Sequence, residues 1–304
     1  MNNFPVVGSL HFYPIKSCRA IDLSTASVGP RGLMSGKIGD RSWMVVDAVG
    51  TLVSQRQKPE MARVKIELLR NAAGITDRMR LSAEGQEPLI LDPSLVGSDR
   101  QKIMLHGKES IAHTASPEIN RWFSGFLGAD VTVVHQKESD LRLCDPHFAV
   151  NPGVDAVGFG DEFPYLVTTS ATLEKLNGFL DSPVPMSRFR PNIVIVHTQP
   201  EAEYTWKNIT LGSAALSLVK PCARCVMTTI DQDTGIKTGK QPLATLAATQ
   251  FLAQDFGGER VQGAIFGENA VSTICGEISV GDAVSVVETK PLHNFIRRTP
   301  KRAP

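Results

Sequence analysis

Apolar residues along this chain come in short runs that stop at prolines, glycines and polar turn residues. Val6–Phe12 is such a run, ended by Tyr13-Pro14. Trp43–Asp47 then meets Thr51-Leu52-Val53 across Ala48-Val49-Gly50, which predicts a hairpin with glycine at the tight position. Val64–Arg70 and Met79–Ser82 flank Asn71-Ala72-Ala73-Gly74, and Leu89–Leu91, Ile103–Leu105 and Ser110–His113 continue the series. Short strands at this density predict a barrel or sandwich.

Helical spacing is rarer. It predicts helices over Pro117–Leu127 after Ser116, over Ser170–Leu180 and over Leu243–Phe251, their apolar stripes facing a core. A polar stretch, Asp145–Gly153, precedes a second strand-rich part: Asn192–His197, Ile209–Leu211, Leu216–Leu218, Val226–Ile230 and Ala283–Val287. From Thr289 on, Lys290, Arg297, Arg298, Lys301 and Arg302 with three prolines read as a solvated, loosely ordered end, with a possible docking role toward an acidic redox protein. The fold class expected is α+β, predominantly β.

Composition narrows the function classes. The 304 residues carry a net charge of +1, so nothing global draws the chain to nucleic acid or anionic membrane, and three Tyr and three Trp supply few stacking platforms. No apolar run is long enough to span a bilayer. Met1-Asn2-Asn3-Phe4-Pro5 does not read as an export signal, and five scattered cysteines argue against a disulfide framework. Reduced thiols and a cytoplasmic location are expected.

Pro221-Cys222-Ala223-Arg224-Cys225 is the strongest local chemical feature. A thiolate becomes a good metal ligand or nucleophile beside positive charge, and Arg224 is the expected source of that charge. A structural zinc would need more ligands than this pair, and a thioredoxin-like site would precede a helix. Two inert buried cysteines remain an equal alternative on residue types alone. Lys16 and Ser17 in Tyr13–Cys18, Asp40-Arg41 after Gly39, and Arg56 in Ser54–Gln57 are weaker candidates for holding an anion. Arg188, Arg190 and Asn192 at a strand entrance have the donor geometry for phosphate. Gly158-Phe159-Gly160 lacks a dinucleotide fingerprint. Asp231–Gly235 reads as a turn, because Pro242 stands where a calcium loop needs Glu. The seven histidines show no paired metal spacing.

Taken in order, several segments resemble one family. They are Tyr-Pro-Ile-Lys-Ser-Cys (13–18), Gly-Asp-Arg (39–41), Arg-Phe-Arg-Pro-Asn-Ile-Val (188–194), Cys-Ala-Arg-Cys (222–225), Thr-Thr-Ile-Asp (228–231), Thr-Gly (234–235) and Phe-Gly-Glu-Asn (266–269). The chain resembles MOSC-domain proteins with an N-terminal MOSC β-barrel, a group that includes the mitochondrial amidoxime-reducing component and YcbX-type proteins. The resemblance implies a barrel-like domain over 1–137, a MOSC domain over 150–288 and a basic tail over 289–304. It implies a pyranopterin molybdenum cofactor with Cys225 as metal ligand. Lys16, Ser17, Arg41, Asp161, Arg190, Asn192, Ala223 and Arg224 would hold the cofactor, with Cys225 and Asp161 as the catalytic candidates and Asp161 a possible general acid. Asn269 stands where the family pattern leads one to expect an aromatic residue.

The activity implied is reduction of N-hydroxylated small molecules. No plant-type Cys-x₄-Cys-x₂-Cys run is present, so electrons are expected from a separate ferredoxin-, flavoprotein- or cytochrome-type donor. The competing readings are a molybdenum-cofactor or sulfur carrier without turnover of its own, and a zinc or thiol-redox module on Cys222 and Cys225.

Overall fold

A computed structural model describes residues 4–97 and 99–299. Strands dominate, with three α-helices among the described residues, Pro117–Leu127, Ser170–Asn177 and Leu243–Thr249. The largest sheet has nine strands. Its order is Ile21–Leu23, Val6–Phe12, Ile193–Val196, Tyr165–Thr169, Arg260–Ile274, Ala214–Ala223, Trp206–Leu211 and Val284–Thr289, with Phe251–Asp255 also paired to Arg260–Ile274. A five-stranded sheet runs Arg100–Leu105, Lys108–Thr114, Val131–His135, Trp43–Asp47, Leu52–Val53. Sheet membership does not follow the division of the chain near 137–150. Val6–Phe12 pairs with Ile193–Val196, and Gly276–Ser279 pairs with Thr25–Gly29. The two halves are stitched through their sheets, and the main core draws on both, from Val7 and Trp43 to Ile209 and Val284.

Local rules account for most elements. The first helix starts after Ser116 with Pro117 in its first turn and stops at Gly128, whose φ of 57° needs no Cβ accommodation. The second, expected to reach Leu180, ends at Asn177. The third, expected to reach Phe251, ends at Thr249, because Phe251 pairs with Ala264 in a strand. The Asp231–Gly235 segment is a turn: Asp231 Oδ1 accepts from the backbone N–H of Asp233 and Thr234.

Two expectations need correction. Val226–Ile230 reads as a strand from its β-branched residues, yet Val226–Thr229 is a 3₁₀ turn. The hydroxyls of Thr228 and Thr229 donate back to the carbonyls of Cys225 (3.0 Å) and Val226 (2.8 Å), and these local bonds override strand propensity. The segment 290–299, expected to be solvated and loose, is anchored. Lys290 Nζ and His293 Nε2 lie 2.8 and 2.5 Å from Glu268, and Arg297 meets Glu201 with both Nη atoms at 2.8 Å. Backbone bonds run from Ile296 to Phe251 and from Arg298 to Ala248. Lys301 and Arg302 lie outside the described residues.

A row of rings, Trp43, His135 and His113, crosses adjacent strands of the five-stranded sheet, with Trp43 and His135 centroids 4.3 Å apart. Burial, with His113 adding to it, pushes His135 down to about 4. Between that value and the ordinary 6.5 the unfolded chain binds the proton and the folded one does not, so stability falls as pH drops through this window. The expected loss is at most about 3 kcal/mol. Urea unfolding at pH 7 and pH 4.5 should show it, and His135→Gln should flatten the difference. An unchanged pH slope in that variant would remove His135 as the cause.

Candidate functional site

A cavity of about 490 Å³ is lined by residues from both halves of the chain. All nine residues singled out by the resemblance line it: Lys16, Ser17, Arg41, Asp161, Arg190, Asn192, Ala223, Arg224 and Cys225. Eight Lys or Arg residues stand on its wall against three carboxylates, in a chain whose net charge is only +1. The local field therefore favours an anion, as the whole molecule does not.

The wall is built under backbone strain. Six described non-glycine residues have left-handed φ, and four of them, Ser17, Arg41, His106 and Arg190, line this cavity. Such conformations are held against a local cost by surrounding structure, and they cluster where a side chain must be aimed.

The surrounding structure is explicit. The ring of Tyr13 is sandwiched between guanidiniums, with Arg41 Cζ 4.5 Å and Arg190 Cζ 4.4 Å from its centroid. Burial pushes the Tyr13 phenol up to about 12 despite both arginines, so it stays neutral. Arg41 pairs with Asp40 and donates to Asn192 Oδ1 and the Arg190 carbonyl, both at 3.2 Å. Asn192, buried, also accepts from the Leu166 backbone at 3.2 Å. Arg190 donates to Gln232 Oε1 (2.9 Å) and the Cys18 carbonyl (2.8 Å). Gln232 exchanges hydrogen bonds with Gln55, which donates to the Ser17 carbonyl at 2.7 Å. The two halves of the chain are thus tied through buried amides behind the cavity.

At the far end of the strand Ala214–Ala223, the two cysteines sit half-buried where the 3₁₀ turn begins. The expected partnership of Arg224 with Cys225 is not what forms. Arg224 Nη1 donates to Cys222 Sγ at 2.9 Å, and Cys225 Sγ accepts from Arg56 Nη2 at 3.3 Å. Arg224 folds back on the cysteine two positions before it, and the cation beside Cys225 comes from a segment 169 residues away. Burial pushes the Cys222 thiol up even with Arg224 beside it. All five cysteines are unpaired.

Asp161, a candidate for the general acid, lies between Lys16 and His106. Burial in the cleft opposes its ionisation, but the Lys16 ammonium and a His106 hydrogen bond of 2.9 Å outweigh this and hold its carboxyl well below the usual carboxylate range. Its side chain is 61% exposed, and in the ionised form it accepts hydrogen bonds from both neighbours. Burial in turn lowers the Lys16 ammonium from its ordinary value, against the pull of Asp161.

Three polar atoms near or on the wall are buried without partners: Ser17 Oγ, Arg188 Nε and Arg224 Nε. Such groups are costly unless a ligand or water completes them. A bulky anion with several acceptor oxygens fits this donor set. No group of three or more His, Cys, Asp or Glu side chains able to hold a metal occurs among the described residues, so a metal at Cys225 needs further ligands from a cofactor. Arg56 was legible only as a weak anion-holding candidate, and His106 was not singled out at all. The signal for His106 is positional, since it stands before Gly107 at a hairpin tip and in no chemical motif.

Comparison with known proteins agrees with this geometry. Residues 4–130 match the MOSC N-terminal beta barrel domain and residues 155–285 the MOSC domain. The human mitochondrial amidoxime-reducing component 1 is 31% identical, covering 91% of this chain and 82% of its own length. The mouse protein of that name is 32% identical over 91% and 81%. The bovine mitochondrial amidoxime reducing component 2 is 29% identical over 91% and 82%. This chain belongs to the MOSC family, with a MOSC N-terminal β-barrel domain followed by a MOSC domain.

Proposed function

We propose that this protein is a molybdenum-cofactor-dependent reductase of N-hydroxylated compounds, amidoximes among them, that receives electrons from a separate ferredoxin-, flavoprotein- or cytochrome-type protein. The observation that carries the reading is the Cys225 thiol on the wall of a strongly basic cavity whose buried donors Ser17 Oγ, Arg188 Nε and Arg224 Nε lack partners. Similarity to amidoxime-reducing components over nine-tenths of the chain supports the substrate class.

When bound, the pyranopterin molybdenum cofactor supplies the two-electron chemistry. The chain's own residues do the rest. Cys225 offers a sulfur ligand, and Arg56 Nη2 donates to that sulfur at 3.3 Å. Lys16, Arg41, Arg190 and Arg224 compensate the cofactor's charge, and Ser17 and Asn192 add polar contacts on the same wall. Ala223, exposed, lines the same cavity between the two cysteines. A cytoplasmic location is part of this reading, consistent with five unpaired cysteines.

The test is elemental analysis of protein made in a host that synthesises molybdenum cofactor, followed by benzamidoxime reduction with reduced methyl viologen. About one molybdenum per chain with turnover is the expected result. Stoichiometric molybdenum without turnover under any donor would leave the carrier reading, and zinc would leave the thiol module.

A further inference from the structure

The strands Arg100–Leu105 and Lys108–Thr114 are joined by the two-residue loop His106-Gly107, with φ of 50° and 77°. Two left-handed residues in succession make the turn that suits a twisted hairpin, and the first of them is ordinarily Asn, Asp or Gly. A histidine there carries a local backbone cost with no gain to the turn. What it does instead is project onto the cavity wall, where Nε2 lies 2.9 Å from Asp161 Oδ1. That same oxygen receives the Lys16 ammonium.

We propose that His106 is the proton donor of the reductase, held in register by Asp161. This rests on the reductase reading above. Cleaving an N–O bond reductively consumes two electrons and two protons: the N–O bond breaks, the oxygen leaves as water and the nitrogen gains a hydrogen. The electrons come from the redox partner. One proton comes from His106 to the departing hydroxyl oxygen, and the other reaches the nitrogen from solvent.

The geometry supports the assignment in three ways. The ion pair with Lys16 makes the Asp161 carboxylate an acceptor, so Nε2 of His106 carries hydrogen and Nδ1 is the exchangeable position. Among the described residues Nδ1 has no hydrogen-bond partner. With 30% of its side chain exposed, the imidazole is open both to the cavity and to water, so it can be recharged between turnovers. The charged groups around it are Asp161, then Lys16 and Arg142 on the far side of Asp161, Arg56 elsewhere on the wall and Lys108 on its own hairpin. Arg142 donates to the carbonyls of Gly158, Gly160 and Asp161, which fixes the loop that presents the carboxylate.

Asparagine accepts left-handed φ before glycine, so His106→Asn keeps the hairpin while removing the imidazole. In molybdenum-loaded protein with reduced methyl viologen and benzamidoxime, His106→Asn should lose about 100-fold in kcat at neutral pH, within the range general acids contribute. Its KM and molybdenum content should be unchanged, and the alkaline fall of kcat/KM expected of a wild type with an imidazole donor should be absent. Nitrogen-15 shifts of the His106 ring, read without any turnover, should show the Nε2–H tautomer in the wild type and a mixture in Asp161→Asn. Wild-type turnover with an unaltered rate and pH profile in His106→Asn overturns the proposal alone, as does a wild-type ring without tautomer preference. Molybdenum-loaded wild type that reduces no N-hydroxylated compound defeats the reductase reading, and the proton-donor role with it.

Discussion

Cys225→Ser is expected to purify folded, without molybdenum, and with amidoxime reduction at background. The fold should survive because the contacts that shape this turn use the Cys225 backbone: its carbonyl accepts from the Thr228 N–H (3.1 Å) and hydroxyl (3.0 Å). The sulfur itself touches only Arg56 among the described hydrogen bonds. A serine hydroxyl at that position stays protonated near neutrality and is a poor ligand for a thiophilic metal, so the loss falls on the metal site alone. Cys222→Ser makes the contrast. Its Sγ accepts from Arg224, a contact a serine oxygen can keep, so the rate should fall by no more than about tenfold, or 1.4 kcal/mol in barrier. Circular dichroism, molybdenum content and steady-state rates of the two variants decide the matter. Equal losses in both would point to a paired-thiol mechanism and away from a single-ligand site.

That asymmetry between two cysteines three positions apart was not legible in the sequence. Residue spacing makes Arg224 the natural partner of Cys225, and only tertiary placement assigns it to Cys222 and brings Arg56 to Cys225. The strand Val6–Phe12, the hairpin Trp43–Val53, the short strands from Lys65 to Thr114 and the helix Pro117–Leu127 were readable, because periodicity, turn residues and capping are local, whereas the four short strands between Ile21 and Gly39 were not read. Nor was the strand Arg260–Ile274. Gly263 and Gly267, with φ of 149° and 81°, break its pattern, and its burial on both faces from Ala264 to Val271 removes the alternation that marks a strand. Tyr165–Thr169, buried at every position, escaped for the same reason. The cavity residues were named through family likeness. From residue chemistry alone, Lys16-Ser17 and Asp40-Arg41 look like ordinary surface. What sets them apart is left-handed backbone at Ser17 and Arg41 and the Tyr13 ring between two arginines, features that need the assembled sheet.

The C-terminal segment carries the second large effect. Lys290→Ala is expected to destabilise the protein by about 3–5 kcal/mol, the usual cost of stripping a partner from a buried ion pair. Glu268 has no exposed side-chain surface, and its two oxygens are matched by Lys290 (2.8 Å) and His293 (2.5 Å) from this segment. Glu268 belongs to Arg260–Ile274 and sits opposite Pro221 in the register of the strand leading to Cys222 and Cys225, with Asn269 of the cavity wall next to it. The strap therefore neutralises a charge directly behind the wall that holds the site, and weakening it should also loosen cofactor retention. Removing the charge along with its partner separates this account from simple loss of packing. In Glu268→Gln/Lys290→Ala the penalty of a buried carboxylate that has lost its Lys290 partner is gone, so most of the lost stability should return. Denaturant unfolding of the two variants and the wild type measures it. If the double variant is no more stable than Lys290→Ala, the segment stabilises the fold through packing of Phe295 and its neighbours instead, and the charge pairing at Glu268 is incidental.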